Sequence, residues 1–403
     1  MRRSEPLTFI VFPGWVYTAR LGVYLSFGME GHRCMVGPAT TFWKDKRVFI
    51  TGHTGFKGVW LSLWLQSMGA AVFGYSTSSR ETSAKEPVVS MESFRGDICD
   101  SELLQSALQA ASPDIVFHMA AQPLVRRAFH DPVATYRTNV IGTATLLECV
   151  RRTPSVRAVL VVTTDKCYEN MEWDWAYREV DRLGGNDPYS TSKACMELVV
   201  GAFRDSFFSP DRLPEHGVGI ASVRAGNVIG GGDWAQDRLV PDTMRSFAAG
   251  QRVTLRNPRA MRPWQYVLEA LRGYLLLAER LYQDGRGYSG AWNFGPASSD
   301  IQPVEWIVAR LAAAWGADAT WDLHAGEHPQ EAQMLKLDCS KAAEQLQWKP
   351  ILNLSEALEM TVDWYRHFYA GNNLRQKYLE QIAAYSARAS EINDIASAAL
   401  SKA

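Results

Sequence analysis

The sequence predicts a doubly wound α/β fold, a parallel sheet with helices on both faces. Two observations carry that reading. Short apolar runs alternate with helical stretches from Lys46 to about residue 225. The first run, Arg47-Val48-Phe49-Ile50-Thr51, leads straight into glycines at 52, 55 and 58 and then into a helical pattern.

Residues 46–51 read as the first strand and about 57–69 as a helix. Ala71–Tyr75 is a second short strand, and Ser93–Gly96 a third that ends at Asp97. Ser101–Ala111 is helical, with Asp100 placed to cap it. Asp114–His118 reads as a fourth strand and about 133–150 as a long helix. Ala158–Val162 is apolar at every position, as a parallel strand buried on both faces requires. Pro188–Phe207 is a helix and Gly219–Val223 a further strand.

Beyond about residue 225 the alternation loosens. Gly226–Asp237 reads as a glycine-rich loop, followed by helices near 241–249, 265–283 and 303–315. Around 355–369, Leu354, Ala357, Leu358, Met360, Thr361 and Trp364 share one helical face. Four segments result: a dinucleotide-binding domain over 43–225, a smaller mixed α/β substrate domain over 226–370, a helical tail over 371–403 that docks or frays, and residues 1–42. The last are expected to be a poorly ordered extension, from a start placed too far upstream of Met35. Pro13, Gly14 and Arg20 interrupt the apolar run there and argue against a leader peptide or a membrane anchor.

Composition sets outer limits. The chain has 403 residues, 47% hydrophobic and 21% charged, with a net charge of −1. A nucleic-acid partner would need a basic bias that is missing. The six cysteines form no C-x-x-C pair, so neither a metal site nor a disulfide framework is expected. Reduced thiols fit a cytoplasmic protein.

The glycine spacing has a physical reason. Gly52 permits a tight turn, Gly55 lets backbone approach a pyrophosphate, and Gly58 lets the helix pack on the strand. The helix N-terminus then offers free N–H groups and partial positive charge. An ordinary strand–turn–helix corner is the plainer alternative. A second signal is Tyr189-Ser190-Thr191-Ser192-Lys193, which puts Tyr189 and Lys193 on one helical face just after Pro188. The ammonium is expected to favour the phenolate, making Tyr189 a base for an alcohol. A surface Tyr and Lys is the plainer reading, and the glycine turn weakens it. A third is Thr164-Asp165-Lys166, at the C-terminal end of a buried strand, where open parallel sheets bind ligands. It sets a hydroxyl, an acid and a base side by side, although a solvated ion pair would look the same.

Further stretches lie between and beyond these: His118-Met119-Ala120-Ala121-Gln122-Pro123, Arg224-Ala225-Gly226-Asn227, Arg262-Pro263-Trp264-Gln265 and Trp292-Asn293-Phe294-Gly295-Pro296. Together they resemble the extended short-chain dehydrogenase/reductase family over roughly residues 42–366. Within that family the chain is similar to the NAD-dependent nucleotide-sugar epimerases and dehydratases. Asp165-Lys166 and the Arg262–Gln265 stretch point to the branch that acts on CDP-glucose.

The resemblance implies a Rossmann-type fold, NAD as cofactor and a hydro-lyase reaction yielding a 4-keto-6-deoxy sugar. It implies that Gly52, Thr54, Gly55, Phe56, Gly58, Asp97, Ile98, Ala120, Ala121, Gln122, Tyr189 and Lys193 hold the cofactor. Thr164, Asp165, Lys166, Tyr189 and Lys193 are the implied catalytic set, with Lys166 where related dehydratases carry glutamate. Asn227, Arg238 and Arg262 are expected at the substrate diphosphate, where guanidinium forks suit phosphate oxygens, and Trp264 near the base or ribose. His118 is expected to be structural. No acid ends the second strand at Gly74-Tyr75-Ser76-Thr77 to hold a ribose, so NAD is expected to bind less tightly, with Arg80 nearby as a weak candidate for a 2′-phosphate. Relatives imply a homodimer or dimer of dimers paired through helices at about 131–150 and 188–207. A nucleotide-sugar 4-epimerase and a non-catalytic cofactor sensor remain alternatives. Asp165-Lys166 argues against the first, and the intact Tyr189–Lys193 pair against the second.

Overall fold

The computed structural model describes residues 40–77, 88–255, 257–323 and 335–400, together with short strands at 9–12, 15–18 and 23–26. Those three strands form an antiparallel sheet of their own. The rest of the expected extension before residue 40 lies outside the described residues, as does Arg80.

A seven-stranded sheet organises the remainder. Its strands, labelled here in chain order, are β1 (Arg47–Thr51), β2 (Ala71–Ser76), β3 (Glu92–Arg95), β4 (Ile115–His118), β5 (Ala158–Val162), β6 (Gly219–Ala225) and β7 (Gly290–Phe294). The spatial order is β7-β6-β5-β4-β1-β2-β3, and every pair is parallel. The order reverses between β1 and β4, so a crevice opens at their C-terminal ends. Successive side chains of a strand face opposite sides. Val48 and Ile50 accordingly join an apolar cluster with Trp60 and Trp64, while Phe49 joins another with Val116, Val159 and Val161. This is the predicted doubly wound sheet.

β7 was not predicted. Gly290-Ala291-Trp292-Asn293-Phe294 holds no β-branched residue and a central amide. Asn293 is tolerated at full burial because its amide group bonds the Tyr168 hydroxyl (2.8 Å) and the carbonyls of Tyr177 (2.9 Å) and Asp338 (3.1 Å). The predicted long helix after β4 is observed as Pro132–Tyr136 and Gly142–Arg151, joined by a π turn at Arg137–Ile141. A small second sheet joins Asn227–Ile229, Met261–Tyr266 and Ile301–Pro303. Residues 227–229, expected in a loop, are therefore a strand. The tail helix Leu374–Leu400 docks, setting Tyr378 against Trp60 and Tyr385 against Trp64 with ring centroids 4.5 and 5.7 Å apart.

Candidate active site

The site lies at the crevice. Gly52, immediately after β1, has φ +73°, a left-handed conformation that favours glycine. A Cβ there would stand 2.7 Å from the Ala120 nitrogen, so the turns after β1 and β4 nearly touch. A Cβ on Gly58 would stand 2.5 Å from the Gly52 carbonyl, which is how closely the next helix sits on the turn. That helix, Phe56–Ser67, begins at Gly55 with no side chain capping it. Its first N–H groups therefore have no side-chain cap and are available to an anion.

Thr51 ties the two turns together. Its hydroxyl oxygen accepts the N–H groups of Met119 (3.1 Å) and Ala120 (3.2 Å) and pairs with His118 Nδ1 at 2.8 Å. His118 Nε2 meets Thr143 Oγ1 at 3.0 Å, and burial with the nearby Lys193 charge pushes the ring down to about 3. His118 is a neutral structural ring, as expected. The Gln122 side chain is spent on Leu124 and Thr135, and its N–H on Asn139 Oδ1 (2.8 Å), a residue of the π turn. At the ribose end, Thr54 Oγ1 and Ser76 Oγ lie 2.9 Å apart where the acid is missing. Asp97 is exposed, with its carbonyl accepting the Tyr75 hydroxyl at 2.9 Å, while Ile98 is buried against Gly142.

The end of β5 presents the reactive groups. The Val162 carbonyl accepts the Lys193 ammonium at 3.2 Å. Thr164 Oγ1 donates to Asp165 Oδ1 at 2.9 Å, and the Tyr189 phenol hydrogen-bonds Thr164. Asp187 accepts the N–H groups of Tyr189 (2.9 Å) and Ser190 (3.0 Å), which fixes where the Pro188–Ser206 helix starts and hence where Tyr189 points. Burial raises the Asp165 carboxyl, against the opposing charge of Lys166 and the Thr164 hydrogen bond. A raised carboxyl keeps its proton and can donate it. Lys166 is exposed on the 3₁₀ turn after Thr164.

The phenol differs from expectation. Burial pushes Tyr189 up to about 12, with the Arg238 charge and the Thr164 hydrogen bond working against it. Lys193 is itself pushed down by burial to about 8, with the Glu197 charge opposing. Desolvation outweighs the stabilising charge, because both groups are buried at the end of an interior strand of the sheet.

On the substrate side, Arg238 pairs with Asp233 at 2.9 Å and reaches the field of Tyr189. Asn227 and Arg262 are half-buried on the small sheet, and the Arg262 charge is felt at Asp165. Trp264 is buried in the apolar core, its indole nitrogen without a hydrogen-bond partner. A Cβ on Gly226 would come within 3.1 Å of Asp165 Oδ2, so the end of β6 closes over the acid.

Three residues were missed. Lys57, in the first turn of the uncapped helix, donates to the Tyr274 hydroxyl at 3.3 Å. Burial and the charges of Arg238 and Lys193 push it down to about 7. A lysine inside a glycine turn was the available signal. His53 packs its ring on Gly74 and meets Ser93 Oγ through Nε2 at 2.9 Å. Asn139 had no signal at all, since only the π turn aims it at Gln122 and Ser192. Among the described residues no group of three or more His, Cys, Asp or Glu could hold a metal ion.

Comparison with known proteins supplies the family and agrees on the fold. A family model described as GDP-mannose 4,6 dehydratase matches residues 49–361. The chain is 53% identical over 337 residues to a CDP-glucose 4,6-dehydratase of Salmonella typhimurium, covering 83% of this chain and 94% of that protein. It is 27% identical to a dTDP-glucose 4,6-dehydratase of Xanthomonas campestris, covering 78% and 92%. Among solved structures, the dTDP-glucose 4,6-dehydratase DesIV of Streptomyces venezuelae, with NAD bound, superposes with a TM-score of 0.66 at 23% identity, covering 81% and 99%. The UDP-glucose 4-epimerase of Thermotoga maritima gives a TM-score of 0.69 at 22% identity, covering 80% and 99%.

Proposed function

The chain belongs to the GDP-mannose 4,6 dehydratase family, and from that premise we propose that it converts CDP-glucose to CDP-4-dehydro-6-deoxyglucose with loss of water. The observation that carries this reading is the end of β5, where a buried acid with a raised carboxyl stands beside the Tyr189 phenol. The 53% identity to the Salmonella enzyme supports the choice of nucleotide.

NAD fits the residues present: a left-handed glycine, an uncapped helix start and a turn too close for any side chain. Gly52, Gly55 and Gly58 would hold its pyrophosphate and Tyr189 with Lys193 its nicotinamide end. When bound it would supply a reversible hydride acceptor beside the sugar, so that oxidation at C4 and reduction at C6 need no outside oxidant. Tyr189 takes the 4-hydroxyl proton as its phenolate, the form that the positive charge of the bound cofactor would favour against burial, with Thr164 bonding the same oxygen. The resulting ketone acidifies C5, and Lys166 removes that proton. Asp165 protonates the departing 6-hydroxyl, which leaves as water, and a proton exchanged with solvent returns through Lys166 to C5 as hydride reaches C6. Asn227, Arg238 and Arg262 take the diphosphate, and Trp264 supports the base from within the core.

The same reading includes a dimer. Val133 (76% exposed), Ile141 (55%) and Leu198 (61%) lie on the helices before and after β5 and leave an apolar face for a second copy. Light scattering at micromolar concentration tests it. A cytoplasmic setting suits the free thiols, and no described helix is long and apolar enough to cross a membrane. One incubation tests the function. Purified protein with CDP-glucose and NAD is expected to yield the 4-keto-6-deoxy product, with one solvent deuterium at C5. CDP-galactose as sole product would establish an epimerase instead, and absence of turnover would defeat the proposal.

A further inference from the structure

Three successive residues at the end of β5 each grip a different side chain. The Val162 carbonyl takes Lys193, the Thr163 hydroxyl donates to Glu197, and the Thr164 hydroxyl serves Asp165 and Tyr189. Glu197 is the member with no place in the chemistry described so far. It follows Lys193 by four residues, so the two share a helical face. Its side chain is 3% exposed, and its second oxygen accepts Ser222 Oγ at 2.6 Å and Arg224 Nη2 at 2.8 Å. Arg224, equally buried, is held in turn by the Tyr168 hydroxyl at 2.7 Å and the Glu179 carbonyl at 3.1 Å.

A buried ion pair is a poor stability device. Desolvating both charges cancels most of their attraction, and apolar residues of the same size commonly do as well. The charge on Glu197 therefore calls for another reason, and the buried cation it reaches besides its partner Arg224 is Lys193, one helical turn earlier on the same face. We propose that Glu197 is a positioning residue of the active site: fixed by Thr163, Ser222 and Arg224, its carboxylate keeps the Lys193 ammonium charged and seated on the Val162 carbonyl. The inference rests on the reading of Tyr189 and Lys193 given above.

The electrostatics agree. Burial works to raise the Glu197 carboxyl, but Arg224 and the hydroxyls hold it below its ordinary value. Its charge in turn opposes the burial that pushes Lys193 down to about 8. The other groups around Lys193 cannot replace it. His118 on β4 is neutral, Lys57 on the glycine-turn helix is a like charge, and burial raises the Cys167 thiol well above its ordinary value.

The test reads cofactor affinity against pH, followed by quenching of the chain's tryptophans, so it does not depend on which sugar is turned over. In the wild type, affinity is expected to fall on the alkaline side as Lys193 loses its proton. Glu197→Gln is expected to move that limb down by about one pH unit, because the ammonium gives up its proton sooner. Glu197→Asp keeps the charge and is expected to leave the limb in place even if the fold is weakened. If Glu197→Gln does not fold, Glu197→Met with Arg224→Met replaces the pair by apolar groups of similar size and is expected to show the same downward shift. A folded variant lacking the carboxylate with an unmoved limb overturns the proposal. Failure to convert CDP-glucose, with the limb shifted as stated, would instead defeat the functional reading and leave the role of Glu197 standing.

Discussion

Two helices begin at this site and treat their first turns in opposite ways. Phe56–Ser67 starts at Gly55, with no side-chain cap and no acid in its first turn. Pro188–Ser206 starts at Asp187, whose carboxylate accepts two backbone N–H groups and the Ser190 hydroxyl. The same end-of-helix donors and the same partial charge are available in both. One helix leaves them unspent for an anionic ligand. The other spends them internally, which locks the backbone at Tyr189 one residue past Pro188. Under the proposed function, a helix start is thus a binding site or a positioning device according to one residue.

Exchanging those residues should exchange the behaviours. The largest effect is expected from Gly55→Asp. Gly55 has φ −75° and ψ 172°, which any residue adopts, and a Cβ there would meet only the Gly52 carbonyl at 3.3 Å. The new carboxylate would cap the helix and set a negative charge where the pyrophosphate belongs. Thermal stability should hold or rise slightly, while NAD affinity by titration calorimetry should fall about 100-fold or more. Affinity within a few-fold of wild type would mean the uncapped start is not the phosphate site.

Asp187→Ala is the converse and should act more gently. Loss of the cap is expected to cost about 1 kcal/mol in denaturant unfolding. NAD affinity should change little, while kcat for sugar turnover falls about tenfold as Tyr189 loses its fixed entry angle. Asp187→Asn, which still accepts the N–H groups, should recover most of the rate. A drop in NAD affinity with an unchanged kcat would reverse the roles assigned to the two helices.

What was legible in the sequence was local. The glycine turn, the Tyr189–Lys193 spacing and the all-apolar Ala158–Val162 run each depend on residues within a few positions of one another. The doubly wound sheet followed from repeating such units. What stayed hidden depends on contacts across the chain. β7 reads poorly because Asn293 is satisfied only by Tyr168, Tyr177 and Asp338, far away in sequence. The docked tail was open between two outcomes, since Tyr378 and Tyr385 find Trp60 and Trp64 only in three dimensions. The Tyr189 phenol was misjudged in direction for the same reason. Spacing reveals a neighbouring ammonium, but burial, the larger influence, comes from elements the local pattern does not show.

The smallest expected effect sharpens the comparison further. Lys57 lies in the first turn of the uncapped helix, where a cation opposes the dipole. It is half-buried, and burial pushes it down to about 7 from an ordinary 10.5. Between those values the unfolded chain holds the proton and the native protein has given it up. Native stability should therefore rise with pH across that window, with the penalty complete below about 7. Lys57→Met removes the penalty, so its melting temperature should exceed wild type at neutral pH and converge with it above about 10.5. Because the side chain is partly exposed, solvent screening should keep the difference below about 1 kcal/mol. A bound pyrophosphate would supply the missing counter-charge. NAD should then stabilise the wild type more than Lys57→Met at neutral pH and narrow the gap between them. If NAD instead stabilises both proteins equally, the Lys57 ammonium does not face the ligand of the uncapped helix.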